Sequence, residues 1–175
     1  MREMMKLGLI LLIITSVAAV VLGITNNITQ GVILERKAEA IKDSLVVLVP
    51  DADDFAMLQG VSGSGVSEAY EGTKGGTPVG YVFKAEGNGY GGAIEVLVAI
   101  SSEGKVLDLQ IGANAETPGI GDKVQNPEFI GQFVDQDATG EVQVEIISGA
   151  TRSSNGVIGA VNAAAKVYQE AVQNR

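Results

Sequence analysis

Residues 79–111 read VGYVFKAEGNGYGGAIEVLVAISSEGKVLDLQI, and this stretch decides the fold. Apolar residues alternate with other residues over 79–86 and again over 94–100, which is the two-residue period of a β-strand. The sequence SSEGK, with Gly104, then predicts a hairpin turn into a third strand over 106–111. Because short turns can join only antiparallel strands, the sequence predicts an antiparallel sheet.

Two further elements are predicted downstream of these strands. Alternation at Val142, Val144 and Ile146 predicts a fourth strand, and apolar residues recur at spacings of three and four over about 152–173. This second pattern predicts an amphipathic C-terminal helix. Its apolar positions are Val157, Val161, Ala164, Tyr168 and Val172. Strands in a row with helices at the two ends indicate an α+β fold with an antiparallel sheet.

The N-terminal residues 7–25 read LGLILLIITSVAAVVLGIT, without a charge. As a helix this run would be about 28 Å long, which matches the hydrocarbon core of a bilayer. A cleaved signal peptide is the competing interpretation, because Arg2 and Lys6 form a basic leader and Ala18 and Ala19 are small. The run is longer than the apolar region of a typical signal peptide, which is about 7 to 15 residues, and no clean A-x-A cleavage site follows, so we favour a retained transmembrane helix. The basic leader favours a cytoplasmic N-terminus and an extracytoplasmic domain.

The segment between the anchor and the sheet has two parts. Residues 30–49 carry apolar side chains at helical spacing, and Pro50 ends the predicted helix. Residues 50–65 read as an acidic loop, for which a solvated surface is favoured over a cation site because the Ca²⁺-loop pattern is incomplete. We therefore expect an anchor over 1–28, a connecting helix and loop over 29–65, and the sheet domain over 66–175.

The composition excludes several kinds of chemistry. The chain has no Cys and no His. It therefore has no thiolate nucleophile, no Ser-His pair, no zinc finger, no iron-sulfur cluster and no haem ligated by these residues. The net charge of -9 argues against binding to nucleic acid. We expect no catalytic residue and no metal ligand, so redox chemistry would require a bound organic cofactor.

Three glycine-rich segments lie between the predicted elements: GNGYGG at 87–92, ETPGIG at 116–121 and SGATRSS at 148–154. Glycine is favoured where φ is positive or where another group approaches the backbone closely. Either cause suits loops around a flat ligand, and ordinary turns are the alternative.

The segment SGATRSS joins a predicted strand to a long helix, which places several backbone N–H groups at a helix N-terminus. Such an end attracts phosphate. Gly149 and Ala150 are small, so a phosphate would reach the Thr151 hydroxyl with little obstruction, and Arg152 adds positive charge. The alternative is that Thr151 or a neighbouring serine of the segment is only an N-cap. The chain lacks GxxxxGK[ST], so a P-loop nucleotide site is not expected.

These segments resemble a known family. SGATRSS is similar to the flavinylation motif of the FMN-binding domains in Rnf complexes and in sodium-pumping NADH:quinone reductases. Residues 89–111 followed by ETPGIGDKVQNPEFIGQF at 116–133 are similar, in the same order, to the stretch that precedes this motif. The single N-terminal membrane helix completes the pattern. The short chain resembles the Rnf G subunit more than the longer C subunit of the quinone reductase.

The resemblance implies a flavoprotein subunit in the cell membrane that is not an enzyme alone. FMN would be bound covalently, by a phosphoester to Thr151, and a separate flavin transferase would install it from FAD. The subunit would relay electrons between ferredoxin and NAD⁺ beside multi-span membrane subunits, with coupled movement of Na⁺ or H⁺. Alternatives are a C-type quinone reductase subunit, a stand-alone flavinylated carrier, and a structural subunit without flavin.

We also expect particular residues of these segments to lie at the FMN. Backbone N–H groups and the Thr117 side chain of the ETPGIG loop would contact the ring. Glu116 would brace the loop or lower the flavin potential, and Lys123 would raise that potential or lie in solvent. The expected cofactor-binding residues are Thr151, Ser148, Gly149, Ala150, Arg152, Ser153, Glu116, Thr117, Gly119, Gly121 and Lys123.

Three positions depart from the family pattern. Asn114 stands where many relatives have His, so no imidazole is available near the flavin. Ile120 replaces Leu in the second motif, and Arg152 replaces an apolar residue after the threonine.

Overall fold

The computed structural model describes residues 2–61, 63 and 65–173. The chain divides into two compact units, residues 1–43 and 44–175. The elements in chain order are α1 (Arg2–Leu48), β1 (Asp54–Met57), β2 (Val66–Lys74), β3 (Thr77–Asn88), β4 (Ala93–Ser101), β5 (Val106–Ile111), a 3₁₀ helix (Gly121–Gln125), α2 (Pro127–Ile130), α3 (Thr151–Tyr168) and a short π-helical segment (Gln169–Gln173).

The first unit consists of α1 up to residue 43. Within it, Met4–Asn26 is long and apolar enough to cross a membrane, and the apolar window of this span is not buried inside the protein. A helix with an apolar sequence of this length, whose apolar window is exposed, suits a bilayer environment. The predicted helix over residues 7–25 is confirmed.

The second unit is built on one antiparallel sheet of five strands in the order β1-β2-β3-β4-β5. Each strand pairs with the next one along the chain, as expected for strands joined by short turns. The turn between β4 and β5 contains Gly104 with φ of 86°, which confirms the predicted hairpin. The antiparallel α+β fold is therefore confirmed.

The helix α3 covers one face of the sheet, against β3 and β4. Phe83 and Tyr168 are buried there, with ring centroids 6.4 Å apart and an edge-to-face arrangement. The predicted apolar positions Val157, Val161 and Ala164 are all fully buried. The helical period in the sequence thus marks the face of α3 that packs on the sheet.

The end of α1 and the residue that follows it, Val49, lie against the opposite face of the sheet. Leu45, Leu48 and Val49 are buried, and a Cβ at Gly80 would lie 3.1 Å from Val49 Cγ1. Val82 on β3 is also fully buried. Both faces of the central strands are therefore covered, which explains why burial along β3 and β4 is nearly continuous and does not alternate.

The structure corrects the expected strand count. Residues 141–147 form no strand, because α3 satisfies part of their backbone. Val142 N–H donates to Asn162 Oδ1 at 2.8 Å, and Asn162 Nδ2 donates to Val142 O at 3.0 Å. The prediction of a strand through Val142, Val144 and Ile146 is wrong, because an amide side chain replaces the neighbouring strand.

The two strands at one end of the sheet, β1 and β2, were not predicted. β1 lies inside the segment expected to be a loop, and β2 has the mostly polar sequence VSEAYEGTK. Near the sheet edge, such strands do not need an apolar period. A local signal was present, since Gly75 and Gly76 have φ of 57° and 82° in the turn between β2 and β3. A Gly-Gly pair in this position favours a two-residue hairpin.

Candidate functional site

The three glycine-rich segments meet around one cavity of about 360 Å³. The first segment turns from β3 to β4, the second follows β5, and the third leads into α3. The lining residues are Tyr90, Glu116, Thr117, Ile120, Gly121, Gly149, Ala150, Thr151, Arg152 and Ser153. The volume lies in the range of small-molecule and cofactor sites.

Most of the predicted cofactor-binding residues share this cavity, and three do not. Ser148, Gly119 and Lys123 lie outside its lining. Two lining residues, Tyr90 and Ile120, were not predicted; they are 73% and 51% exposed. The available signal was a large side chain inside each of the first two glycine-rich segments, where neighbouring glycines offer no side chain to bury it.

A close backbone approach holds the first segment against α3. A Cβ at Gly87 would lie 1.8 Å from the carbonyl oxygen of Gly156, and one at Gly156 would lie 2.9 Å from Asn88 O. Both positions therefore require glycine, since neither backbone can move away without displacing the strand or the helix. This contact brings the β3–β4 turn close to the N-terminal part of α3.

The N-terminus of α3 has no side-chain cap. Thr151 is its first helical residue, and the preceding cap residue is Ala150, which offers no acceptor. The alternative interpretation was that a serine or threonine of this segment serves only as the N-cap. The structure contradicts it, because the N-cap is Ala150. The N-terminus of an 18-residue helix without a side-chain acceptor favours an anion.

The hydroxyl groups of the third segment differ in their hydrogen bonds. Ser153 Oγ donates to Glu116 Oε2, while Ser154 Oγ donates to Ala150 O and accepts from the N–H of Ile147. The Thr151 hydroxyl has no hydrogen-bond partner among the described residues, and Thr151 is exposed on the cavity. Thr151 therefore presents an unpartnered hydroxyl to the cavity.

The carboxylate of Glu116, in the ETPGIG segment, is hydrogen-bonded to both of the other glycine-rich segments. Glu116 is only 7% exposed, Oε1 accepts from the N–H of Gly91 at 2.9 Å, and Oε2 accepts from Ser153 Oγ at 2.5 Å. Its own N–H donates to Asn114 Oδ1 at 3.3 Å. Asn114 thus supports the backbone of the ETPGIG loop.

The ETPGIG loop uses some of its backbone donors internally. The N–H groups of Ile120 and Gly121 donate to Thr117 O at 3.1 and 2.9 Å. These two donors fold the loop and are not directed into the cavity. The exposed Thr117 side chain, whose hydroxyl has no hydrogen-bond partner among the described residues, remains as the polar group that this loop offers.

The exposed charge on the cavity is positive. Arg152 is exposed, lines the cavity and has no ion pair within the part of the chain that the structure describes. The other charged lining residue is Glu116, whose carboxylate already accepts two hydrogen bonds. Although the whole chain has a net charge of -9, this cavity suits an anionic group better than a cation.

Residues 89–166 match the FMN-binding domain family, which defines the class of this protein. Two relatives are similar over most of the chain. The G subunit of the proton-translocating ferredoxin:NAD⁺ oxidoreductase complex of Clostridium ljungdahlii is 33% identical, over 81% of this chain and 78% of the relative. The G subunit of the Na⁺-translocating ferredoxin:NAD⁺ oxidoreductase complex of Acetobacterium woodii is 31% identical, over 96% of this chain and 93% of the relative.

The chain belongs to the G-subunit family of the ion-translocating oxidoreductase complexes, the Rnf complexes. A solved structure of the C subunit of the Na⁺-translocating NADH-quinone reductase from Parabacteroides distasonis is also similar, with 21% identity and a TM-score of 0.49, over 58% of this chain and 60% of that one. The apolar N-terminal helix and the membrane-complex relatives together support a membrane-anchored protein with an FMN-binding domain.

Proposed function

We propose that this chain is an electron-carrying subunit of an Rnf-type complex and holds FMN through a phosphoester to Thr151. The observation that carries the proposal is the exposed Thr151 hydroxyl at the uncapped N-terminus of α3, on the cavity formed by the three glycine-rich segments. Family membership supports the FMN and the membrane complex.

The residues present fit FMN. The N-terminal turn of α3 and Arg152 would hold the phosphate, because both favour negative charge. Tyr90 and Ile120 offer apolar surface for the ring system, and the Thr117 hydroxyl offers a hydrogen bond. When bound, FMN supplies the one- and two-electron redox chemistry that a chain without Cys or His does not supply through its own side chains.

The attachment is a substitution at phosphorus. The Thr151 oxygen forms a bond to the FMN phosphorus of FAD, the bond to the AMP phosphate breaks, and AMP leaves. The hydroxyl proton passes to a base of the flavin transferase. The product is a phosphodiester with one negative charge, placed at the positive end of the α3 dipole and beside Arg152. This step needs only a hydroxyl from the carrier chain.

The membrane arrangement and the partners belong to the same proposal. Arg2 and Lys6 at the N-terminal end of the span support a cytoplasmic N-terminus, which would place the FMN domain outside the cytoplasm. The subunit would pass electrons between ferredoxin and NAD⁺ through neighbouring membrane subunits. The segment limits in this proposal are 1–28 for the anchor, 29–65 for the connection and 66–175 for the FMN-binding domain.

Intact-mass spectrometry tests the attachment. The full-length chain is produced in detergent and treated with a flavin transferase, FAD and Mg²⁺. We expect the mass of one FMN less one water to be added to the wild type and to be absent from Thr151→Ala. Ser148→Ala, which removes a hydroxyl of the same segment outside the cavity lining, is the matched control that should keep the adduct. A wild type without added mass, or a Thr151→Ala adduct, would overturn the proposal.

Copurification tests the place in a complex. When the tagged chain is purified from its native membrane, we expect multi-span subunits and protein-bound flavin fluorescence in the same fraction. A flavinylated chain that is isolated alone would contradict the assignment to an Rnf-type complex, although the Thr151 attachment would stand.

A further inference from the structure

Glu116 lies where the three glycine-rich segments meet, and its position suggests a role other than contact with a cofactor. Both carboxylate oxygens already accept a hydrogen bond, one from Gly91 and one from Ser153. We infer that Glu116 is a positioning residue, which fixes the first turn of α3 through Ser153 so that the Thr151 hydroxyl can accept the flavin. This inference rests on the proposed attachment of FMN at Thr151.

The packing around the carboxylate leaves it no room to move. A Cβ at Gly89 would lie 2.1 Å from Glu116 Oε1, and a Cβ at Gly121 would lie 2.3 Å from Glu116 Oε2. Each oxygen is therefore enclosed by a glycine from a different segment, in addition to its hydrogen bond. Glycine at these two positions makes room for the carboxylate, which explains part of the glycine content of the motifs.

Ser153 transmits this position to Thr151. The two residues belong to the same helical turn, and Ser153 is 2% exposed while Thr151 is exposed. A hydrogen bond that fixes Ser153 also fixes the rotation of the first turn about the axis of α3. The direction in which the Thr151 hydroxyl points is thereby set, since the two side chains are separated by about 200° on a helix.

The hydrogen bonds of the two serines after Arg152 define their role in the motif. The Ser153 hydroxyl proton is directed to Glu116, so it is not available as a donor to a phosphate. Ser154 is fully buried and holds the turn before α3 through Ala150 and Ile147. Both serines therefore anchor the helix start, and the threonine remains available to react.

Substitution with glutamine separates hydrogen bonding from charge. The side-chain oxygen of the new glutamine can accept from the N–H of Gly91, and its amide group can donate to Ser153 Oγ, because a serine hydroxyl also accepts. Glu116→Gln therefore preserves both links without the negative charge. Glu116→Ala removes both links, and Ser153→Ala removes the link to α3 alone. Glu128→Ala, on the exposed Glu128 of α2, is the matched control.

The experiment measures the initial rate of FMN incorporation into the full-length chain by intact mass, with a flavin transferase, FAD and Mg²⁺. We expect Glu116→Ala and Ser153→Ala to be slower than wild type by about tenfold or more, the effect of a lost charge-assisted hydrogen bond. Glu116→Gln and Glu128→Ala should stay within about twofold of wild type. The double variant Glu116→Ala/Ser153→Ala should be no slower than Glu116→Ala, because the link between Glu116 and Ser153 is already lost in Glu116→Ala.

Several outcomes would overturn the inference. A wild-type rate in Glu116→Ala or in Ser153→Ala would show that the link is not required, while the Thr151 attachment would stand. A Glu116→Gln rate as low as that of Glu116→Ala would show that charge matters and positioning does not. General destabilisation would be seen as a low rate that follows the melting temperature, without rescue by glutamine. No incorporation into wild type would remove the proposed function itself, and the inference with it.

Discussion

Two cavities of the second unit lie near its sheet, and the larger one has the poorer chemistry for a phosphate. The cavity of about 560 Å³ lies between the end of α1 and the turn after β4, and Asp51, Glu103 and Asp108 contribute to its lining. Its cation, Lys74, already pairs with Asp51 at 3.6 Å. The cavity of about 360 Å³ has the exposed Arg152, a helix N-terminus and an exposed threonine hydroxyl.

The two cavities differ in the polar groups that their linings present to a ligand. The larger cavity is lined by carboxylates and by apolar side chains such as Val47 and Leu107. The smaller one is built from backbones in close contact, so that polar groups from three segments converge. The convergent polar groups are therefore the reason why we propose the smaller cavity as the ligand site, although it has the smaller volume of the two.

The largest effect is expected from adding one methyl group at each end of β3. In Gly87→Ala the new Cβ would meet the Gly156 carbonyl oxygen at 1.8 Å, whereas in Gly80→Ala the nearest atoms, Val49 Cγ1 and Ile100 O, lie at 3.1 and 3.3 Å. We expect Gly87→Ala to lower the free energy of unfolding by about 3 kcal/mol or more, and Gly80→Ala by about 1 kcal/mol. Urea denaturation of the second unit measures both, and equal losses would contradict the difference in packing.

A second comparison removes the cation from each cavity. Arg152→Leu should slow FMN incorporation about tenfold, because the phosphate loses a charge-assisted hydrogen bond worth about 1.5 kcal/mol or more. Lys74→Leu, its matched control in the larger cavity, should leave the rate unchanged. The incorporation assay reads out both variants. A similar decrease in both would mean that overall charge, and not the cavity, governs the rate.

A third effect concerns stability. A phosphodiester at Thr151 would place an anion at the uncapped start of α3, so the flavinylated chain should be more stable than the flavin-free chain by about 1 kcal/mol. For a domain of this size the melting temperature should rise by roughly 4 °C. Calorimetry of the two forms measures the shift. Ala150→Ser would supply a cap and should reduce the difference, and an undiminished difference would count against capping.

A fourth effect, no larger than the third, is expected at the wall of the larger cavity. Tyr168 Oη donates to the carbonyl of Ser102, which lines that cavity, at 3.1 Å. Tyr168→Phe should lower the free energy of unfolding by about 1 kcal/mol at pH 7 and should not change FMN incorporation. A change in incorporation would show that the two cavities are coupled.

The same substitution predicts a pH dependence. Burial raises the pKa of Tyr168 above its usual value near 10, since the folded chain disfavours the phenolate. The contribution of Tyr168 to the free energy of unfolding is fully present below about pH 10. It is lost as the pH rises further, because the phenol then loses its proton more readily in the unfolded chain than in the folded one. Between about pH 7 and pH 11 the urea midpoint should therefore fall further for wild type than for Tyr168→Phe. Equal decreases would contradict this assignment.

The sequence was sufficient where a period or a motif carried the information. The alternation over 79–111 predicted β3, β4 and β5, and the helical spacing of Val157, Val161 and Ala164 predicted the buried face of α3. It failed at β2, whose polar sequence near the sheet edge needs no apolar period. It failed again over 141–147, where an alternating pattern packs against Asn162 without forming a strand.

The sequence by itself determined the excluded chemistries, the apolar anchor helix, the central strands and the motif that contains Thr151, because composition, hydrophobic period and local motifs are properties of neighbouring residues. The tertiary structure decided which hydroxyl of that motif faces the cavity, why Gly87 and Gly156 must lack side chains, and which donors meet Glu116. These features depend on contacts between segments that are far apart along the chain. Such contacts form only when the sheet and α3 pack together, so no local pattern encodes them.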